Sequence, residues 1–276
     1  LFKVAVPHIK KINEKSITTA KAWELGYGGR HEKGKSHTTQ TRLEFTPQLV
    51  KEKLLKLMKN PKMPLKLVTL AGHTGDFSKA LKESGFQVVH TDLAEKFVEA
   101  GRKKGLPSVK AFAHMPPKFK GVAAYVGFEI DPIHVNTPGA GHLLFLNALS
   151  NSKYGAVFVG TTEQWRPWAV TARAYACKAA GEKAVFKDVN TGEMQQVNFV
   201  RVYADKEWAK KMQEDIKVIK LLQGKPKTSV SRLQAATGLS KKRLLKSLRR
   251  IDFLSKRWTE HGPQPLMKEV EVSGVE

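Results

Sequence analysis

The stretch KLVTLAGHTGDFSKALKESGFQVVHTDL, Lys66 to Leu93, decides the fold. Its opening run, LKLVTLA, has the length and β-branched content of a buried strand. The turn AGHTG follows, and Gly72 and Gly75 can take backbone conformations closed to other residues. DFSKALKESG then reads as a helix that stops at Gly85, and FQVVHTD as a second strand ending on Asp92. Strand, turn, helix, strand is the shape of a nucleotide-cofactor site. The helix offers its amino-terminal dipole, and a strand-end carboxylate can accept two hydroxyl donors. A histidine inside the turn, His73, is unusual there, and we read it as a turn residue rather than a general base.

Outward from this stretch, residues 61–205 continue to alternate. AEKFVEAGRKKG is a helix, SVKAFAH and GVAAYVGFEI are strands, and GAGHLLFLNALSNS is a helix. GAVFVGTT is a strand and PWAVTARAYACKAAG a helix with Cys177 inside it. EKAVFKDV and EMQQVNFVRVYA form a closing hairpin turned by NTG. Alternation of this kind implies an α/β fold with a mostly parallel, doubly wound, Rossmann-like sheet. The hairpin is expected to add an antiparallel edge.

Composition bounds the function. The chain has 276 residues and is 41% hydrophobic, which supports a packed core and argues against global disorder. No apolar run approaches membrane-spanning length, and LFKVAVPHIKK is too short and too charged for a secretory signal. A single cysteine excludes an internal disulfide framework and a cysteine-based zinc cluster. The expected setting is therefore intracellular: cytoplasmic, nucleoid-associated or within an organelle. The formal net charge of +23 exceeds what solubility needs and points to a polyanion, nucleic acid before membrane. Lys and Arg outnumber Asp and Glu by 13 to 5 in residues 1–60, 18 to 12 in 61–205 and 17 to 8 in 206–276, so the excess sits at the two ends.

The ends differ in pattern. Residues 1–60 hold a basic stretch, GYGGRHEKGKSHTTQTR (Gly26–Arg42), expected to be either a solvated surface loop or a basic arm on phosphate. TPQLVKEKLLKLMKN follows as a helix capped by Thr46. Residues 206–276 begin with an amphipathic helix carrying Trp208, Met212, Ile216, Ile219 and Leu222. TSVSRLQAATGLSKKRLLKSLRRIDFLSKRW then reads as helix, turn at Thr237–Ser240, helix. The second helix sets Lys241, Lys242, Arg243, Lys246, Arg249 and Arg250 around Leu244, Leu245 and Leu248. With Arg232, Lys256 and Arg257 these form the candidate nucleic-acid surface. FLSKRWTEHGPQPLMKEVEV is expected to give two short strands around a wing.

Leu65 to about Ala204 resembles the class I S-adenosylmethionine-dependent methyltransferases, most closely across Lys66–Leu93. The resemblance implies that Ala71, Gly72, His73 and Gly75 line the cofactor. It also implies that Asp92 binds the ribose hydroxyls and that Leu93 packs on adenine. The chain departs from the family at Thr69, where an acid is usual, and at Ala71 and His73, where glycine is usual. Ala111 or Ala113 stands where a further acid often follows. FEIDPIH loosely matches the motif used by amino-group methyltransferases. That match makes Asp131 and His134 the candidate catalytic residues, with Glu129 lining the pocket. Trp165 and Trp168 fall near the same rim, where they could stack on a base.

The carboxyl-terminal region resembles winged-helix domains. Two functions stay open on the sequence. One is a methyltransferase that uses S-adenosylmethionine to modify DNA or RNA. The other is a non-catalytic DNA- or RNA-binding protein on the same fold, such as a component of a larger ribonucleoprotein or DNA-binding assembly.

Overall fold

Short apolar runs such as KLVTL and VAAYVGF form the central strands, and each longer amphipathic run between them folds back as a helix. The structure, a computed structural model, describes residues 1–31, 39–130, 139–161, 169–259 and 266–275. Its strands are β1 (Phe2–Pro7), β2 (Leu43–Glu44), β3 (Lys66–Leu70), β4 (Gln87–Asp92), β5 (Ser108–Lys110), β6 (Val122–Phe128), β7 (Ala156–Gly160), β8 (Lys178–Asp188), β9 (Met194–Tyr203), β10 (Lys227–Ser229) and β11 (Met267–Ser273). Its helices are α1 (Ile9–His31), α2 (Thr39–Arg42), α3 (Pro47–Leu57), α4 (Asp76–Glu83), α5 (Glu95–Lys103), α6 (Ala140–Ser150), α7 (Ala169–Ala174), α8 (Lys206–Leu222), α9 (Val230–Thr237) and α10 (Lys241–Thr259).

Among the described residues, eight strands form one sheet in the order β2-β8-β9-β7-β6-β3-β4-β5. β5, β4, β3, β6 and β7 run parallel, so the sheet is the mixed α/β arrangement that the alternation implies. The chain builds outward from β3 to β4 and β5, then returns to lay β6 and β7 on the other side. That reversal puts a topological switch point between β3 and β6, with a crevice beyond their carboxyl ends.

Both faces of the sheet are covered, which is why β6 is buried at every position and lacks alternation. On one face α6, α8 and α10 contribute Leu143, Phe145, Ile216, Ile219, Leu248 and Ile251 to a single apolar cluster with Val68, Leu70 and Tyr125. On the other, α3 and α4 bury Val50, Leu54, Phe77 and Leu81 against Leu67, Val126 and Phe186. Phe45 sits edge-on to Phe77, Phe128 and Phe186 at 5.0–5.3 Å, a spacing that favours aromatic pairs beyond their buried area.

Several expectations are corrected. The hairpin does not lie at the sheet edge: β9 inserts between β7 and β8, and β2 closes that side. Among the described residues of PWAVTARAYACKAAG, the helix is α7, Ala169–Ala174. From Lys178 the chain is already in β8, whose long register with β9 extends to Lys178–Tyr203. Cys177 therefore lies between helix and strand, half-buried, its thiol pushed up to about 12 by burial. Thr46 takes the cap position of α3 without a side-chain bond, and Pro47 starts the helix. The basic arm is shorter than expected, because α1 runs through His31 and α2 resumes at Thr39; residues 32–38 lie outside the described residues.

The largest correction concerns the carboxyl-terminal region. FLSKRW does not form a strand but continues α10 to Thr259, and among the described residues the one strand after it is β11. The partner of β11 comes from the other end of the chain. β1 pairs with it antiparallel from Phe2↔Val272 to Pro7↔Met267, and β10 pairs with its other edge. Alternation explains the choice, since Val4, Val6, Val270 and Val272 all turn into the core. Residues 2–7 thus join the elements placed in 206–276, across the expected boundaries at residues 60 and 205. α8 runs along α6: Gln213 donates to the Ser150 carbonyl at one end. At the other, Gln223 donates to the Pro7 carbonyl and accepts from Ile9 N–H. The turn between α9 and α10 is as expected, with Gly238 left-handed at φ 72°.

Candidate functional site

The turn after β3 is held from below. Gly72 N–H donates to the Thr91 carbonyl at 2.8 Å, and Thr91 Oγ1 donates to the Thr69 carbonyl at 2.5 Å. Beneath the turn lies the His90 ring, fully buried and pushed down to about 4, chiefly by burial, so it is neutral. Its Nε2 faces the Phe97 carbonyl at 3.3 Å, which makes Nε2 the protonated nitrogen and Nδ1 the acceptor for Ser78 Oγ at 3.0 Å. Ser78 Oγ in turn meets Thr69 Oγ1 at 2.9 Å. Thr69 therefore belongs to a closed hydroxyl–imidazole relay where an acid was the usual residue.

This packing gives the glycines a reason of their own. A Cβ on Gly72 would stand 2.4 Å from His90 Nδ1, and Gly75 is left-handed at φ 80° with Leu106 3.0 Å from a would-be Cβ. Both are fixed by what lies under and behind the turn, a cause the cofactor argument alone does not supply. Ala71 (φ 47°), His73 (φ 51°) and, across the switch point, Glu129 (φ 39°) are all left-handed non-glycine residues. Strained backbone of this kind clusters at functional crevices.

Asp92 ends β4 beside this turn. Its Oδ2 accepts from His73 N–H and its Oδ1 from Ala94 N–H, both at 2.9 Å. The residue is only 8% exposed, and burial pushes the carboxyl up to about 6 against the pull of those backbone donors. The charge of Glu24 adds to the rise. A carboxylate offers about four acceptor positions; His73 and Ala94 N–H fill two of them, and the Leu93 backbone also pulls the carboxyl down. The acceptor capacity that is left suits a ribose hydroxyl.

Helix α1 lies over this crevice, a role the sequence reading did not give it. Ala20 packs with Ala94 and Phe97, joined by Trp23 and Leu93. The Trp23 ring meets His73 edge-on at 6.1 Å, and His73 lies against Phe97 at 4.0 Å. Lys96 Nζ donates to the Glu24 carbonyl at 3.3 Å, and Asn13 Oδ1 meets His114 Nε2 at 2.8 Å. Leu93, expected against adenine, thus packs against α1. Ile9, Ile12, Ser16, Ala20 and Trp23 recur at helical spacing, the signal that marks this face.

On the far side of the switch point Glu129 is half-buried at the end of β6. Its Oε1 accepts from Thr161 N–H at 3.0 Å and, in a short bond, from the Thr161 hydroxyl. Glu129 is therefore a fixed carboxylate on the rim, tied to the end of β7. Asp131, His134, Trp165 and Trp168 lie outside the described residues. Among the described residues there is no cluster of His, Cys, Asp or Glu suited to a metal ion.

The basic helix α10 divides its cations between two tasks. Arg250 is not a surface group: its Nε and Nη2 donate to the two oxygens of Asp215 at 2.7 Å. Asp215 is fully buried and also accepts from Ser247 Oγ at 2.5 Å and from the Tyr175 hydroxyl. Arg243 makes a close ion pair with Glu214, and Lys256 pairs with Asp252 at 2.7 Å. Lys241 is exposed at the start of the helix and Arg232 is exposed on α9, while the Arg257 side chain lies outside the described residues. Lys242, Lys246 and Arg249 are exposed at steps of four and three, on one face, with no carboxylate partner among the described residues.

No family model and no curated protein matches the chain. Among solved structures it is similar to magnesium protoporphyrin IX methyltransferase from Synechocystis PCC 6803 with bound SAM. The identity is 14% over 57% of this chain and 79% of that one, with a TM-score of 0.42. It is also similar to TrmN from Thermus thermophilus, at 20% identity over 57% of this chain and TM-score 0.40, where it spans about half (49%) of the other chain. A third is precorrin-6y C5,15-methyltransferase from Geobacter metallireducens GS-15, at 12% identity over 58% of this chain and 90% of that one, with a TM-score of 0.39. Likeness at these scores carries no functional argument, and the function has to be read from the chain's own residues.

Proposed function

We propose that the chain is a nucleic-acid-binding methyltransferase that takes S-adenosylmethionine at the crevice between β3 and β6. The observation that carries this reading is Asp92: a carboxylate at the end of β4, beside the glycine turn that follows β3, aimed by backbone donors and with acceptor capacity left for a ribose hydroxyl. In this reading Ala71, Gly72, His73 and Gly75 form the floor of the site and Leu93 borders the base. Glu129, fixed by Thr161, lines the substrate side, and Asp131 and His134, which lie outside the described residues, are the proposed catalytic residues. The bound cofactor would supply an electrophilic methyl group. The chain's residues would hold it, exclude water and orient the acceptor.

α9, α10 and the small β1-β11-β10 sheet form, in this reading, a winged-helix-like unit. Its exposed Lys242, Lys246 and Arg249 would hold phosphate, with Arg232 and Lys241 alongside. The test is transfer of labelled methyl from S-adenosylmethionine to bulk DNA and RNA, compared between wild type and Asp92→Ala. Label on nucleic acid that Asp92→Ala loses supports the proposal. A second reading, a nucleic-acid-binding protein without catalysis, is favoured by the burial of Asp92 under α1. Nucleic-acid binding without cofactor binding would select it.

A further inference from the structure

The cover over Asp92 is attached unevenly. Near its start α1 is pinned to the body. Ile12 is fully buried in the main core, Ile9 N–H donates to Gln223, and Gln223 also holds Pro7 at the end of β1. Ala5 N–H in β1 donates to Asp252 of α10 at 2.8 Å, and Asn13 meets His114. Beyond Ser16 the attachment is lighter: among those of the described residues, the hydrogen bonds to the body are the two long, exposed ones from Lys96, its N–H to Glu24 Oε1 at 3.4 Å and its Nζ to the Glu24 carbonyl at 3.3 Å. Ala20 and Trp23 join a small cluster separate from both main cores. The hydroxyls of Thr18 and Thr19 bond back to Glu14 and Lys15 within the helix, not to the body. Ile17 and Leu25, both large and apolar, face solvent. Through Ala20 and Trp23 this half lies on His73, Leu93, Ala94 and Phe97, the residues that flank Asp92.

We infer that the part of α1 from Ile17 to Leu25 is a self-inhibitory cover that competes with the nucleoside for Asp92 and must lift to admit it, hinging near Ser16. A ribose cannot reach a carboxylate that is 8% exposed while Ala20 and Trp23 pack beside it. The inference rests on the proposed cofactor reading for its ligand, and on α1 alone for its motion. A cover of this kind lowers apparent affinity by the fraction of molecules that stand open. Removing the Trp23 ring takes away the largest side chain of the cover without touching the anchored half.

The experiment has two arms on the full chain. In the first, S-adenosylmethionine is titrated calorimetrically into wild type and Trp23→Ala. Binding about tenfold tighter in Trp23→Ala is expected, as a tenfold rise in the open fraction would give. Equal or weaker binding in Trp23→Ala, with wild type binding, overturns the cover and leaves the cofactor reading intact. The second arm is amide hydrogen exchange without any ligand, and it stands even if no variant binds cofactor, a result that would sink the proposed function. Residues 17–25 should exchange at least tenfold faster than residues 9–16. Uniform protection along α1 overturns the inference by itself.

Discussion

Arg250 reads from the sequence as one more phosphate contact on a basic helix, and the structure makes it a strut. The informative perturbation is Arg250→Lys, which keeps the charge and discards the fork. Asp215 is fully buried, and its two oxygens take the Nε and Nη2 of Arg250 at 2.7 Å while also accepting from Ser247 and Tyr175. The Arg250 side chain is only 16% exposed, so this is a desolvated pair, not a surface one. A lysine can replace at most one of the two parallel bonds. The expected loss is about 1.5–3 kcal/mol, that of one hydrogen bond to a charged group in a dry site. Asp215→Ala should lose about 3–5 kcal/mol, because it leaves the guanidinium buried without a counter-charge. Urea denaturation followed by circular dichroism measures both, and affinity for a short nucleic acid is measured on the same samples under folded conditions. Arg250→Lys should lower stability and leave affinity and its salt dependence unchanged. A variant as stable as wild type that binds nucleic acid more weakly would refute the assignment and return Arg250 to the phosphate surface.

Other outcomes follow from the same geometry. Replacing Lys242, Lys246 and Arg249 together with alanine should lower the slope of log affinity against log salt by up to about 2.7 on duplex DNA or about 2.1 on a single strand; an unchanged slope in a salt series would remove this face from the interface. Gly72→Ala should destabilise by about 1–3 kcal/mol even without ligand, because its Cβ would stand 2.4 Å from the buried His90 ring; a wild-type melting curve would contradict the packing. Stability should fall on acidification. His90 and His114 are pushed down to about 4 and His142 to about 3, all by burial, so the unfolded chain binds more protons below pH 6.5. Asp92, raised to about 6, works in the opposite direction, its share of stability fading as pH rises from about 4 to 6. The net is about two protons near pH 5, or roughly 2–3 kcal/mol per pH unit, read from urea titrations between pH 4.5 and 7. His142, fully buried with neither ring nitrogen partnered among the described residues, should give up its share of that slope in His142→Leu.

The central fold was legible because its signals are local. Gly85 ends α4, and Asp92 ends β4. The apolar runs at Lys66–Leu70 and Val122–Phe128 have no helical period, so each gives its element from within a few residues. What failed to read was non-local. Nothing in LFKVAVP names its partner, and β1 finds β11 only because two alternating apolar edges complement each other across the whole chain. The cover over the crevice was missed for a related reason. α1 carries Gly26, Gly28 and Gly29, poor helix formers, and its buried face is a sparse Ile12, Ala20 and Trp23. The glycines argued for a loop from Gly26 on, and the part of the helix before them, which packs on Ala94 and Phe97, carried no element expectation. On α10 six cations look alike in the sequence, since Asp215 and Glu214, which claim Arg250 and Arg243, lie on a different helix. The packing reason for Gly72 was not legible, because the ring beneath it belongs to the neighbouring strand.

The claim on which the rest depends is that Asp92 receives the ribose of S-adenosylmethionine. Isothermal titration of that cofactor into the full chain, beside Asp92→Ala and Asp92→Asn, tests it directly. Saturable binding by wild type is predicted, weakened in Asp92→Ala by about 1.5–3 kcal/mol, the value of hydrogen bonds to a charged acceptor, and weakened less in Asp92→Asn, which keeps one carbonyl oxygen. Binding by all three with the same affinity would place the cofactor elsewhere. No heat of binding in wild type at millimolar cofactor, with the protein folded, would contradict the account.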